Sequence, residues 1–303
     1  MFHYTPLLGA YVVYTYLDMS VKYVFSGHES FPCKSLWLKK GYDFVSMGNN
    51  FNDAGAVMEL GVGKNMVASV RFWLKAFGLT KDDQITAIAD YIFDTTSGVD
   101  PYVEDLGTLW LLHYLLVSSG EATLYNWLFT LIQKERKQFD RATIVHYIKR
   151  KMIDAGRIKT YNENTSKKDI GVLLQNYVTP SRAHSFEDYS SLLIDLDLIL
   201  LNEDGKTYEF NLEGKRNVTP EVFLYAIIKQ KGKEMTVPYD TLQEIGLMFC
   251  MTDMEIIDTI HELVDHYANY INYSDVAGIR QIQFIHELDP KVVLDKYYSH
   301  DNI

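Results

Sequence analysis

Residues 51–79 read FNDAGAVMELGVGKNMVASVRFWLKAFGL. Asp53 is placed to cap a short helix, Val57 and Leu60 to face inward, and Gly61 to close the helix in the left-handed conformation that glycine adopts without a Cβ clash. Val62 plugs the turn. A second helix then carries Val67, Val70, Leu74 and Phe77 on one face, and Gly78 ends it. The opposite face is Lys64, Asn65, Ala68, Ser69, Arg71 and Lys75. Asn and Arg can pair with base edges, Ser and Lys can hold phosphates, and Ala68 permits close approach, so these are the residue types of a DNA-recognition helix. The alternative is an ordinary helical hairpin with a polar exterior. The Leu60-Gly61-Val62 turn and the Gly78-Leu79 stop follow the common bacterial helix-turn-helix pattern and favour the DNA-binding form. Two positions depart from that pattern: Val57 stands where a small residue is usual, and Gly63 where a capping Ser or Thr is usual.

Working outward, charge distribution points the same way. The net charge of −11 argues against a polyanionic partner if taken as an average. Yet residues 20–81 hold eight Lys and Arg against four Asp and Glu, and residues 134–168 hold eleven against four. Two basic islands in an acidic body are expected where part of a protein faces phosphate. Solvated helix faces would give the same counts.

Two clusters carry candidate chemistry. Residues 23–41, YVFSGHESFPCKSLWLKKG, predict a short strand, a turn at Gly27 and a helix from about Pro32 to Gly41. His28, Glu29 and Cys33 crowd the turn and could supply a base, a metal ligand or a nucleophile, or Glu29 and Ser30 could simply cap the helix. Asp100, Glu104 and Asp105 gather at the start of an apolar helix, either as hard oxygen ligands for magnesium in a nuclease or as caps on its positive end. His113, one polar residue on that helix, reads as a hydrogen-bonded core histidine.

Asp140 caps a further helix with Ile144, Val145, Ile148 and Met152 inside and Lys149, Arg150 and Lys151 displayed. A helix from Thr165 brings Lys167 and Lys168 in its first turn, so the two form a second, basic helix-turn-helix-like unit. Residues 180–187 read as a linker. Beyond it, 209–212 is strand-like, 220–231 is helical, and Thr252 opens a helix to about Tyr267 with a capping-box pattern. A hairpin across residues 272–283 completes a winged-helix outline. Asp253, Glu255, Asp258, Glu262 and Asp265 make its long helix acidic and suited to protein partners rather than phosphate. The predicted fold is mainly α with small β, as helix-turn-helix and winged-helix units in a multi-domain helical protein. The domains are 19–82, 83–182 and 183–303, with 1–18 a non-native leader ahead of a start at Met19. Two cysteines, 47% hydrophobic residues and no signal-like or membrane-spanning stretch fit a globular cytoplasmic protein with no membrane partner. No Walker loop, dinucleotide fingerprint or Gly-x-Ser-x-Gly elbow occurs.

Four phrases together resemble the DUF4007 family of bacterial proteins: FSGHESFP at 25–32, LGVGKNMV at 60–67 with RFWL at 71–74, DPYVED at 100–105 with GTLWLLH at 107–113, and residues 168–178. Leu106 stands where the family is expected to have Pro. The resemblance implies a role in DNA modification and phage defence beside sulfurtransferase-like and ATPase partners, and one branch resembles the SspB-type nicking component of DNA phosphorothioation. It therefore implies double-stranded DNA as ligand and Mg2+ as cofactor if the chain nicks. A transcription regulator or a scaffold of the same locus is the alternative.

Overall fold

The computed structural model describes residues 23–180, 190–212, 217–276 and 278–300. The leader at 1–18 and nearly all of the expected linker lie outside them. Among the described residues the chain is mainly helical with three small antiparallel sheets.

The first unit comprises α1 (Trp37–Ser46), α2 (Ala56–Leu60), α3 (Lys64–Ala76), a two-residue hairpin of β1 (Thr80–Lys81) and β2 (Gln84–Ile85), and α4 (Ala87–Phe93). Helix α1 starts at Trp37 rather than Pro32. Residues 33–35 are instead spent on a neighbouring segment: Lys34 bridges Ser191, Leu192 N–H donates to the Cys33 carbonyl, and Ser35 N–H to that of Ser190. Gly41 lies within α1 and lets it close on α3, since a Cβ there would meet Val70 Cγ1 at 2.7 Å. The strand expected from Tyr23 is not formed among the described residues; Val24 exchanges hydrogen bonds with Thr123 instead.

The second unit begins with α5 (Leu106–Ser118), whose nearly unbroken apolar sequence is buried on every side. Helix α6 (Thr123–Trp127) passes through a π-helical turn, Leu128–Ile132, into α7 (Gln133–Glu135). Then come β3 (Gln138–Asp140), α8 (Arg141–Asp154), α9 (Glu163–Tyr177), β4 (Ile199–Leu201) and β5 (Thr207–Phe210), in a sheet ordered β3-β5-β4. Helix α9 starts two residues before the expected Thr165, because Asn162 caps it by accepting the Thr165 N–H. The strand pair 199–210 closes on β3, so the expected boundary after 182 falls between elements of one sheet. Its strands are too short to read as partners in sequence.

The third unit runs α10 (Pro220–Lys231), β6 (Thr236–Pro238), α11 (Tyr239–Met248), α12 (Asp253–His266), β7 (Ile271–Val276), β8 (Ile279–Phe284) and α13 (Pro290–His300). Its sheet order, β6-β8-β7, repeats that of the second unit, as does the succession helix, strand, two helices, hairpin. The expected capping box is present, with Thr252 and Glu255 exchanging side-chain and backbone hydrogen bonds.

Buried apolar residues of all three units form one continuous cluster. His113 sits in it fully buried: Nε2 donates to the Met248 carbonyl at 2.5 Å and Nδ1 accepts from the Tyr177 hydroxyl at 2.9 Å. Burial lowers its pKa to about 4, which keeps it neutral, as the sequence reading of a core histidine requires. No helix among the described residues is long and apolar enough to cross a membrane.

Candidate nucleic-acid interface

Helices α2 and α3 meet at Gly61, whose φ of 61° lets the chain reverse while its N–H and that of Val62 bond back to α2. Asp53 does not cap α2; its backbone carbonyl accepts the Ala56 N–H instead, and Val57 points outward. Gly63 is extended and supplies no side-chain cap, so the first N–H groups of α3 are left for solvent or a ligand. Lys64, Asn65, Ala68 and Lys75 are exposed along α3. The Lys64 and Asn65 side chains make no hydrogen bond or ion pair to other described residues.

Ser69 is a correction to the expected face. It is fully buried and its hydroxyl has no hydrogen-bond partner, because it lies one turn before the buried Trp73 and the buried arc of α3 is wider than the four periodic positions imply. Arg71 is half-buried and already engaged: Nε and Nη2 grip both carboxylate oxygens of Asp83, and Nη1 donates to Asn52 Oδ1 at 3.0 Å. Lys75 pairs with Glu121 at 3.1 Å. The open cleft along α3, about 1030 Å³, therefore places Lys64, Arg71 and Lys75 beside Glu29, Asp53, Asp82 and Asp83.

On the second unit, Lys149 and Arg150 are exposed on α8, and Lys167 and Lys168 in the second turn of α9 rather than the first, since the helix starts at Glu163; Lys151 is half-buried. Arg150 pairs with Glu135, and Lys167 with Glu163 at 2.6 Å. Arg150 and Lys151 also lie over the Tyr147 ring.

The five candidate catalytic residues do not converge. His28 is buried, with Nδ1 accepting the Ser30 N–H and Nε2 donating to Asp169 Oδ1 at 3.0 Å. Glu29 is exposed, in a turn where Ser26, Gly27, Glu29 and Ser30 all have positive φ. Neither Glu29 nor Ser30 caps α1, which starts seven residues later. Asp100 is buried and accepts the N–H groups of Glu104 and Asp105, while Asp105 caps α5 through the Thr108 N–H and accepts from the Tyr297 hydroxyl. Of the two readings open for these carboxylates, capping is what Asp105 does, while Asp100 fastens the turn that precedes α5. The oxygens a magnesium ion would need are thus committed to backbone and tyrosine, and no set of three or more His, Cys, Asp or Glu among the described residues could hold a metal. This donor set does not fit a magnesium ion. Burial pushes the Cys33 thiol well up, away from the thiolate a nucleophile requires.

Sequence reasoning missed what these residues do instead. The segment 28–33 is wedged between α3 and α9: His28 holds Asp169, the Cys33 N–H donates to Asn176 Oδ1 at 3.0 Å, and Trp73 Nε1 donates to the Phe31 carbonyl at 3.2 Å. Asp169 and Asn176 lie seven residues apart, on one face of α9. That spacing was the available signal, but only tertiary contact gives it a partner.

A family model described as "Protein of unknown function (DUF4007)" matches residues 25–298. No curated protein sequence matches the chain. Among solved structures, one described as "SspB crystal structure" superposes with a TM-score of 0.82 at 25% identity, covering 93% of this chain and 90% of that one. Another, "Magnesium ion-bound SspB crystal structure", gives 0.82 and 25% over 94% and 90%.

Proposed function

From the premise that this chain belongs to the DUF4007 family, we propose that it is an SspB-like, duplex-DNA-binding component of a bacterial phosphorothioation-type defence system. The observation that carries this reading is the α2–Gly61–α3 turn, with an uncapped α3 N-terminus flanked by the unpaired Lys64 and Asn65. A helix N-terminus with free N–H groups suits a phosphate, and Asn65 and Ala68 are polar and small enough to reach base edges. We read the three units as winged helices, since each follows a helix pair with a hairpin.

In this reading Lys64, Asn65, Arg71 and Lys75 serve the first unit, with Arg71 and Lys75 exchanging protein carboxylates for phosphate. Lys149, Arg150, Lys151, Lys167 and Lys168 bind the backbone from the second. The third unit presents α12, with five carboxylates and no Lys or Arg, to the sulfurtransferase-like or ATPase partners of the complex. Nicking is a second reading: Glu29 opens onto the α3 cleft that Asp53, Asp82 and Asp83 also line, although these carboxylates do not converge into a set that would hold a metal. It no longer requires Asp100 and Asp105, whose oxygens are occupied, or His28, which is buried.

The test is duplex binding by the full chain across a salt series, with Lys64→Glu alongside, and supercoiled plasmid incubated with and without magnesium. Affinity that falls steeply with salt and drops in the variant supports DNA engagement. Absence of binding, or binding unchanged in Lys64→Glu, overturns it in favour of a scaffold. Magnesium-dependent relaxed product lost in Glu29→Gln supports nicking; intact plasmid in every lane rejects it. A dimer with a palindromic preference would favour a transcription regulator.

A further inference from the structure

Beside the second unit's helix pair lies a cavity of about 270 Å³, between residues 23–26 and the α8–α9 connection. Its walls include Tyr23, Phe25 and Tyr161, and its floor the buried Ile148 and Met152. The Arg157 guanidinium lies 4.8 Å from the Tyr23 ring centroid, and Thr165 and Ser166 bring hydroxyls from the first turn of α9. Unlike the α3 cleft, this lining contains no carboxylate. The surrounding segment, 134–168, holds eleven Lys and Arg against four Asp and Glu.

We propose that this cavity seats one unstacked nucleobase of a DNA strand, a refinement that rests on the DNA-binding reading above. The volume falls just below the roughly 300–1,000 Å³ of pockets for drug-sized ligands, which suits one ring system. Aromatic walls accept the π-face of any base, Arg157 adds a cation over a ring, and the hydroxyls can meet a base edge. Exposed Lys149, Lys167 and Lys168 are on the same helix pair, where phosphates on either side of the seated base would run. A neutral peptide would satisfy the aromatic walls but would leave that charge unused. The base comes either from a single strand or from a duplex out of which it has been extruded, and the unstacking cost is smallest where it is already unpaired.

The experiment measures binding of the full chain, at one salt concentration, to a short oligothymidylate, an abasic backbone of the same length, a fully paired duplex and that duplex with one bulged thymine. The oligothymidylate is expected to bind roughly ten-fold tighter than the abasic strand. Tyr161→Ala and Arg157→Ala should erase that difference, Tyr161→Phe should keep it, and Lys149→Glu should weaken both strands alike. Preference for the bulged over the paired duplex identifies an extruded base as the source; preference confined to single strands identifies the single strand. Equal affinity for thymidylate and abasic strands, or a difference that survives in both alanine variants, overturns the proposal. If the paired duplex still binds in that case, the base seat alone fails. If nothing binds, the DNA reading fails with it.

Discussion

Arg71 and Asp83 face each other across the junction of α3 and the β1–β2 hairpin, joined by two hydrogen bonds in which the guanidinium spans both carboxylate oxygens. The pair holds the one arginine of the candidate recognition helix against its own wing. Both side chains are 39% exposed, so the ion pair contributes little to stability, on the order of 0.2–1 kcal/mol. Asp83→Asn should leave the melting transition nearly unchanged while raising duplex-DNA affinity several-fold, because it frees Arg71 and removes a carboxylate facing phosphate. Titrations of the two proteins at equal salt check this; lower affinity in Asp83→Asn would mean that the pair positions Arg71 for DNA.

Ser69 gives the opposite kind of test. Its hydroxyl is buried without a partner, a situation that costs about 1–3 kcal/mol when a polar group is desolvated unpaired. Ser69→Ala should therefore be neutral or stabilising by chemical denaturation and leave DNA affinity unaltered, whereas a residue on the reading face would weaken binding when truncated.

His113 makes stability depend on pH. Its folded pKa of about 4 lies below the ordinary value of 6.5, so between those values the unfolded chain binds more protons than the folded one. Stability is then fully present above about pH 6.5 and is lost as pH falls towards 4, at up to about 1.4 kcal/mol per unit. Denaturant unfolding across this window should show the slope, and His113→Gln, which cannot charge, should flatten it even though its absolute stability is lower.

Gly41 sets the closeness of α1 to α3. A methyl there meets Val70 Cγ1 at 2.7 Å and Leu74 Cδ1 at 2.8 Å, both in the fully buried arc of α3. Gly41→Ala gains helix propensity but overpacks this contact, and a net loss of about 1–3 kcal/mol is expected from thermal or denaturant unfolding. Unchanged or increased stability would show that α1 can shift outward without penalty.

Local patterns carried well from sequence to structure. The glycine at 61, the apolar stripe of α3, the Asp140 and Thr252 caps, the helix at 220–231 and the hairpin after α12 were all legible, because each is fixed by residues within one or two turns of itself. What was not legible depends on distant partners. The start of α1 is delayed by chain pairing with residues 190–192, and the strands at 199–210 take their place only through β3. The candidate site divided along the same line. Lys64, Asn65 and Lys75 are exposed as expected, since helical phase alone decides that. Ser69 is not, because the width of the buried arc depends on what distant segments bring to it, as residues 28–31 and Tyr125 do at Trp73 one turn on. The acidic and histidine clusters looked like chemistry because their side chains are adjacent in sequence. Folding instead gives His28 a buried partner, has Asp100 fasten the turn before α5 and makes Asp105 its cap, while Glu29 stays exposed.

The wedge of residues 28–33 has a mechanical consequence. It grips α9 at Asp169 and Asn176, two helical turns apart, and is itself tied to α3 through Trp73. A rod held at two points along its length is restrained from pivoting and sliding, so the wedge acts as a spacer between α3 and α9. The distance between the two helices is thereby set by the protein's own chain.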